Sequence, residues 1–257
     1  MRIIICLKEV IDSRLSLGAS LSHPVLLNEG LPRRVNPNDT LSLAMALGLK
    51  DSGAASPVEI TLLSIGPKHM ERYLRQGLSI GVDRAVRIWD DSLMRLSSYQ
   101  KSRLLARAIA LLGADLVFTG AGSLDTRDCQ AGPLLGAWLD LPCVSQVIGF
   151  ETTGQPDVIN IVKDTGRGGR ERVQCSLPAV ITVKGEGHLP YAPLDSVLES
   201  QMAGIDVLSL GDLGMPFAEL IYDPTRVTRL LYPRPRPRKV AAPANDLPVF
   251  DRILKLL

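Results

Sequence analysis

The chain has 257 residues, 46% of them apolar, enough to bury a sizeable core as one α/β domain with appendages or as a domain plus a small second lobe. Its 29 lysines and arginines stand against 27 aspartates and glutamates, a net charge of +2, and only 4% of residues are aromatic. Neither a basic field nor a set of stacking platforms marks it for nucleic acid. Cysteines at 6, 129, 143 and 175 have no metal-ligand spacing and only His23, His69 and His188 to join them, so reduced thiols and no metal are expected.

The opening MRIIICLKEV has an apolar stretch too short for a secretion signal or a bilayer span, and a cytoplasmic protein is expected. Residues 3–7 read as a strand buried on both faces, which implies a parallel sheet. Residues 12–34 carry scattered Gly and Pro and read as a loop, with room for a short hairpin. VNPNDTLSLAMALGLKD follows as a helix capped by Asp39 or Thr40, with Leu43, Ala46, Leu47 and Leu49 inward and Asp51-Ser52-Gly53 as its stop.

Residues 58–64 (VEITLLS) form the next strand, Gly66-Pro67 a turn, and residues 68–80 a helix with Met70, Leu74 and Leu78 inward. A strand over 85–89, a helix over 98–112 with Leu104, Leu105, Ala108, Leu111 and Leu112 inward, and a strand over 116–119 complete a βα alternation. A helix then begins near Gln130. After Pro142 the stretches 144–151, 158–163, 172–176 and 179–183, separated by turns such as TGRGGR, read as antiparallel additions. The Pro-rich YPRPRPRKVAAPAND at 232–246 cannot form a core and reads as an extended arm laid on a partner, and FDRILKLL as a short amphipathic helix.

Four loops fall where open α/β sheets bind ligands: Cys6-Leu7-Lys8, Asn36–Asp39, Ser64–Pro67 and Gly120–Gln130. The last suits an anion, because a helix opening presents free backbone N–H groups and a partial positive charge, and Gly120, Gly122 and Gly132 allow close approach. An ordinary turn with Asp125 or Asp128 as its cap is the plain alternative, since neither GxGxxG nor GxxxxGK[ST] is present. Cys6 and Ile65 would give an adenine apolar walls. No Ser/His/Asp order or nucleophile elbow is visible, and Cys129 has no nearby base, so catalysis by side chains is not expected.

The ordered blocks MRIIICLKEV, VNPNDTLSLAMALGLKD, VEITLLSIGP with LSIGVDRAVRI, ADLVFTGAGSLDTRDCQAGP and LPAVITV resemble the beta subunit of electron transfer flavoproteins over about residues 1–210. The resemblance implies a twisted, mostly parallel, Rossmann-like sheet that binds an adenine nucleotide, with antiparallel additions. It implies a division into a nucleotide-binding domain, residues 1–210, and a C-terminal arm, residues 211–257, that contacts a partner. It further implies a heterodimer whose alpha subunit holds FAD, with AMP in this subunit, or a second FAD if the protein bifurcates electrons.

Carried over by matching motif, the nucleotide rim would be Cys6, Asn36, Pro37, Asn38, Asp39, Ile65, Gly120, Thr126, Cys129, Gln130 and Ala131. Tyr191 and Leu194 would form the loop that recognises a flavin-dependent dehydrogenase, of which an acyl-CoA dehydrogenase is the family example. Ala121-Gly122 departs from the Lys-Gln pair of many relatives and would leave room for a larger ligand. A stand-alone adenine-nucleotide sensor or scaffold is the reading of a different class.

Overall fold

An apolar run without polar alternation has to be covered on both faces, and this chain supplies helices on both sides of one sheet. In the computed structural model the described residues are 1–12, 14, 31–53, 57–93, 96–153, 155 and 157–225. The expected 232–246 arm, the FDRILKLL helix and most of the 12–34 loop lie outside them.

In chain order the elements are β1 (Arg2–Leu7), β2 (Glu9–Ile11), β3 (Arg33–Val35), α1 (Pro37–Asp51), β4 (Glu59–Ile65), α2 (Glu71–Ser79), β5 (Arg84–Ile88), α3 (Ser98–Leu112) and β6 (Leu116–Gly120). They continue with α4 (Ala131–Leu139), β7 (Cys143–Thr152), β8 (Val158–Gly166), β9 (Gly169–Ser176), β10 (Ala179–Val183), α5 (Leu194–Met202), β11 (Asp206–Leu208) and α6 (Phe217–Leu220). The main sheet has nine strands in the order β11-β5-β4-β1-β6-β10-β7-β8-β9, and β2 pairs with β3 in a small antiparallel ribbon. From β11 through β7 every neighbouring pair is parallel, and β8 and β9 are added antiparallel.

Side chains alternate across β1, so Ile3, Ile5 and Leu7 meet α1 and Leu74 of α2 on one face. Ile4 and Cys6 meet Leu104 and Ile109 of α3 and Leu135 of α4 on the other. Leu210, Leu213, Met215 and Leu220 join that second cluster, so the chain beyond β11 is anchored on the body through at least Leu220. The TGRGGR turn closes a tight hairpin between β8 and β9. Arg167 and Gly168 both have positive φ, 52° and 81°, the handedness that matches the twist of paired strands.

Three expectations change. The stretch 179–183 is an inner parallel strand between β6 and β7, and all five of its residues are buried; its unbroken AVITV run is the pattern of a strand covered on both faces. Helix α1 is capped at Asn36, with Pro37 pre-set at its first position, instead of at Asp39 or Thr40, whose side chains bond elsewhere. In α3 Leu104 and Ala108 are buried, but Leu111 is 59% exposed and Ile109 takes the inward place, because residues one turn from Leu104 and Leu105 face the sheet.

Candidate functional site

The sheet changes direction at β1: the chain builds outward to β4 on one side and to β6 on the other, and the loops that leave β1 and β6 part over a crevice. Lys8, the first residue after β1, bridges it. Its Nζ donates to Ser123 Oγ at 3.0 Å, Asp125 Oδ1 at 2.7 Å and Thr126 Oγ1 at 3.4 Å, all on the loop after β6. Although burial pushes Asp125 up, the bonds from Lys8 and Ser123 hold its carboxyl below the usual range.

The start of α1 forms the second wall. Asn36 Nδ2 donates to Gly122 O at 3.0 Å and to Asp39 Oδ1 at 2.9 Å, and Asn38 Nδ2 donates to the same Gly122 O at 2.8 Å. Asn38 Oδ1 accepts from the N–H of Gly185 at 3.0 Å, which adds the end of β10. Asp39 is 3% exposed and accepts from the Lys8 N–H at 2.8 Å. Burial raises its carboxyl to about 7, opposed by the bonds from the Asn36 amide and the N–H groups of Lys8 and Gly120. Gly120 has to be glycine here, since a Cβ would stand 2.3 Å from Asp39 Oδ1 and 2.7 Å from Asn36 Nδ2.

The third wall is the loop into α4. Gln130 sits at the N-cap without a side-chain cap bond, and Ala131 opens the helix. Asp125 and Asp128 do not cap it: Asp125 accepts from Lys8 and the Thr126 N–H, and Asp128 accepts from Ser98. The helix-opening N–H groups of Ala131 and Gly132 therefore lack a side-chain acceptor among the described residues. Arg127 and Cys129 hold positive φ, 51° and 55°, an uncommon conformation outside glycine that concentrates at ligand-holding loops. Cys129 is exposed and lies against Gly122, whose added Cβ would come within 2.9 Å of the sulfur.

Cys6 is buried and shares an apolar cluster with Ile65, the last residue of β4. Burial pushes the Cys6 thiol far above the ordinary range, so it packs as an apolar side chain and is not primed as a nucleophile. The groups gathered here fit a nucleotide: an apolar cluster, a helix opening with free N–H groups, the hydroxyls of Ser123 and Thr126, and the buried Asn36 Oδ1, which has no partner of its own.

A family model, the electron transfer flavoprotein domain, matches residues 25–197, a span that takes in α1, the loop after β6, α4 and the hairpin strands. The chain belongs to the electron transfer flavoprotein family. Among its relatives in that family are Protein FixA of Sinorhizobium fredii, 30% identical over 251 residues, covering 93% of this chain and 86% of the relative. The electron transfer flavoprotein subunit beta of Clostridium acetobutylicum is 29% identical over 221 residues, covering 86% and 83%. That of Methylophilus methylotrophus is 29% identical over 182 residues, covering 70% and 69%.

In this electron transfer flavoprotein chain the structure brings together Cys6 with Ile65, and Asn36, Asn38, Asp39 and Gly120 with Lys8, Gly122 and Thr126. Pro37, Gln130 and Ala131 enter through the helix starts they form. Tyr191 and Leu194 lie apart from this cluster, 94% and 74% exposed, and Leu198 and Met202 of α5 extend the same apolar face at 61% and 89%. Sequence reasoning placed Lys8 on the rim but gave it no role. Lys101 of α3 was missed: burial and the neighbouring Lys8 lower its ammonium pKa, against the pull of Asp125 and Asp128. A lysine in the first turn of a helix, where the macrodipole disfavours a cation, is the local signal by which the sequence could have marked it.

Among the described residues no helix is long and apolar enough to cross a membrane, and no three His, Cys, Asp or Glu side chains converge as a metal site would require.

Proposed function

We propose that this chain is the beta-type subunit of a heterodimeric electron transfer flavoprotein and that it holds an adenine nucleotide in the crevice between β1 and β6. The observation that carries this reading is the Lys8 bridge together with the Asn36, Asn38 and Asp39 bonds, which join the ends of β1, β6 and β10 and the start of α1 around one opening. Such an arrangement is built in advance of its ligand and needs little ordering when the ligand arrives. Cys6 and Ile65 would flank the base; Ser123, Thr126 and the start of α4 would face the phosphate.

Flavin chemistry supplies the electron transfer when flavin is bound, and no side chain of this subunit is assigned a catalytic step. AMP is the nucleotide we assign first. A second FAD in a bifurcating protein is the competing ligand, and the small Ala121-Gly122 pair favours it. We assign residues 1–210 to the nucleotide-binding body and 211–257 to the arm that reaches the alpha subunit, with Leu213, Met215 and Leu220 fastening the start of that arm to the body. The exposed face of Tyr191, Leu194, Leu198 and Met202 is assigned to a flavin-dependent dehydrogenase, and the protein to the cytoplasm.

The test is co-expression with the alpha chain, followed by denaturation of the purified complex and identification of what is released. One FAD and one AMP per heterodimer is expected. Two FAD and no AMP assigns the bifurcating form. A complex with no flavin and no adenine nucleotide, or a stable chain that binds nucleotide and never recruits an alpha subunit, overturns the reading.

A further inference from the structure

A largely buried ion pair behind the crevice rim has no part in the function just described. Arg87, on β5, has a side chain 8% exposed and donates to Glu71 Oε1 at 3.1 Å, while Glu71 itself is 18% exposed. Replacing such a pair by apolar residues is often neutral for stability or better, so stability alone gives no reason for it. Its contacts run in two directions. Arg87 also donates to Gly66 O at 3.2 Å, on the turn that follows Ile65 at the crevice rim, while its Nε has no partner.

On the other side Glu71 Oε2 stands 3.9 Å from Arg75. Arg75 in turn donates to the carbonyls of Ser200, Gln201 and Ala203 at 2.6, 2.8 and 3.0 Å, which satisfies the open C-terminal end of α5 with a cation. A cleft of about 350 Å³ lies between α2 and α5, lined by Arg72, Gln76 and Ser79 on one side and by Tyr191, Val197, Ser200 and Gln201 on the other. Helix α5 is thus held at its C-terminal end by Arg75, beside a cleft that runs from Ser200 and Gln201 to Tyr191.

We propose that Glu71 is a positioning residue that couples the nucleotide crevice to α5: a shift of the rim at Gly66 is passed to Arg87, then Glu71, then the Arg75 clamp on the C-terminal carbonyls of α5. The inference rests on the nucleotide and dehydrogenase assignments above. Because linkage is reciprocal, nucleotide in the crevice tightens dehydrogenase docking by the same factor by which docking tightens nucleotide.

The experiment is hydrogen exchange on the full-length chain co-expressed with its alpha subunit, with and without added AMP, reading residues 36–39, 120–131 and 194–203 separately. In the wild type AMP slows exchange in both crevice segments and slows it in 194–203 by about threefold or more. In Glu71→Gln the crevice protection remains and the effect on 194–203 disappears. Should Glu71→Gln fold poorly, Arg75→Lys breaks the link at its outer end and leaves the buried Arg87–Glu71 pair whole, and the same loss is expected. Protection of the crevice without any change at 194–203 in the wild type overturns the coupling and leaves the proposed function standing. No protection of the crevice by AMP or by FAD overturns both.

Discussion

The crevice and the outer face of α5 solve opposite problems. In the crevice Lys8, Asn36 and Asn38 reach partners that lie far away in sequence, on the loops after β6 and β10, Asp39 accepts from the Lys8 N–H, and Asn36 and Asp39 are almost completely buried. On and just before α5, Tyr191, Leu194, Leu198 and Met202 are apolar or aromatic and exposed, while Arg75 holds the C-terminal carbonyls of the helix. A polar network held together inside the chain, with the Asn36 Oδ1 acceptor still open, makes a rigid mould. An exposed apolar helix face gains its burial only from another protein.

The sharpest way to break the comparison is to damage the mould. Asp39→Ala leaves the N–H groups of Lys8 and Gly120 and the Asn36 amide without their shared acceptor. The expected cost is ~3 kcal/mol of stability in urea unfolding, with nucleotide affinity down more than about tenfold by calorimetry. The same carboxyl sets a pH dependence. Held at about 7 in the folded chain, it keeps a proton through a window in which an unfolded aspartate, with a pKa of about 4, has lost it. Its contribution to stability is therefore full below pH ~4 and declines as the pH rises toward 7. Asp39→Asn has no such titration, so the stability difference between wild type and variant should drift against the wild type across that window. A constant difference from pH 4 to 8 contradicts the burial assigned to Asp39.

Gly132→Ala tests the close packing behind the mould, because a Cβ there would stand 2.1 Å from Thr182 Cγ2 and 3.0 Å from Thr119 Oγ1. A loss of ~2 kcal/mol in thermal or urea unfolding is expected, with weaker nucleotide binding as α4 is pushed from β10. Leu194→Ala sharpens the other side of the comparison. It should leave stability within ~0.5 kcal/mol and nucleotide affinity unchanged, while kcat/KM for reduction by the dehydrogenase falls about tenfold. A Leu194→Ala chain that unfolds early would place Leu194 in the body's own packing instead.

What the sequence revealed follows from which interactions are local. Apolar runs such as 58–64 and 116–119 and the stripe Leu43, Ala46 and Leu47 are dictated by burial within a few residues, and each emerged close to its expected bounds. The 179–183 strand was misplaced because it follows a hairpin, whereas its pairing with β6 and β7 depends on a return across the sheet that no local pattern encodes. At the site, glycine-bearing loops were legible as strand ends. The roles of Lys8 and Asp39 were not, since they arise between atoms separated by up to 117 residues. Leu111 shows the same limit on a helix: periodicity gives an apolar face, and the depth of its partner surface decides which edge residue stays in water.

Photo-labelling of the full-length complex with an azido-adenine AMP analogue, followed by mapping of the modified peptides, tests the central claim most directly. Label confined to peptides that contain residues 4–8, 36–39, 63–67 or 120–131, and competed away by AMP, is the predicted result. Label elsewhere on the chain, or label that AMP does not displace, would contradict an adenine nucleotide held between β1 and β6.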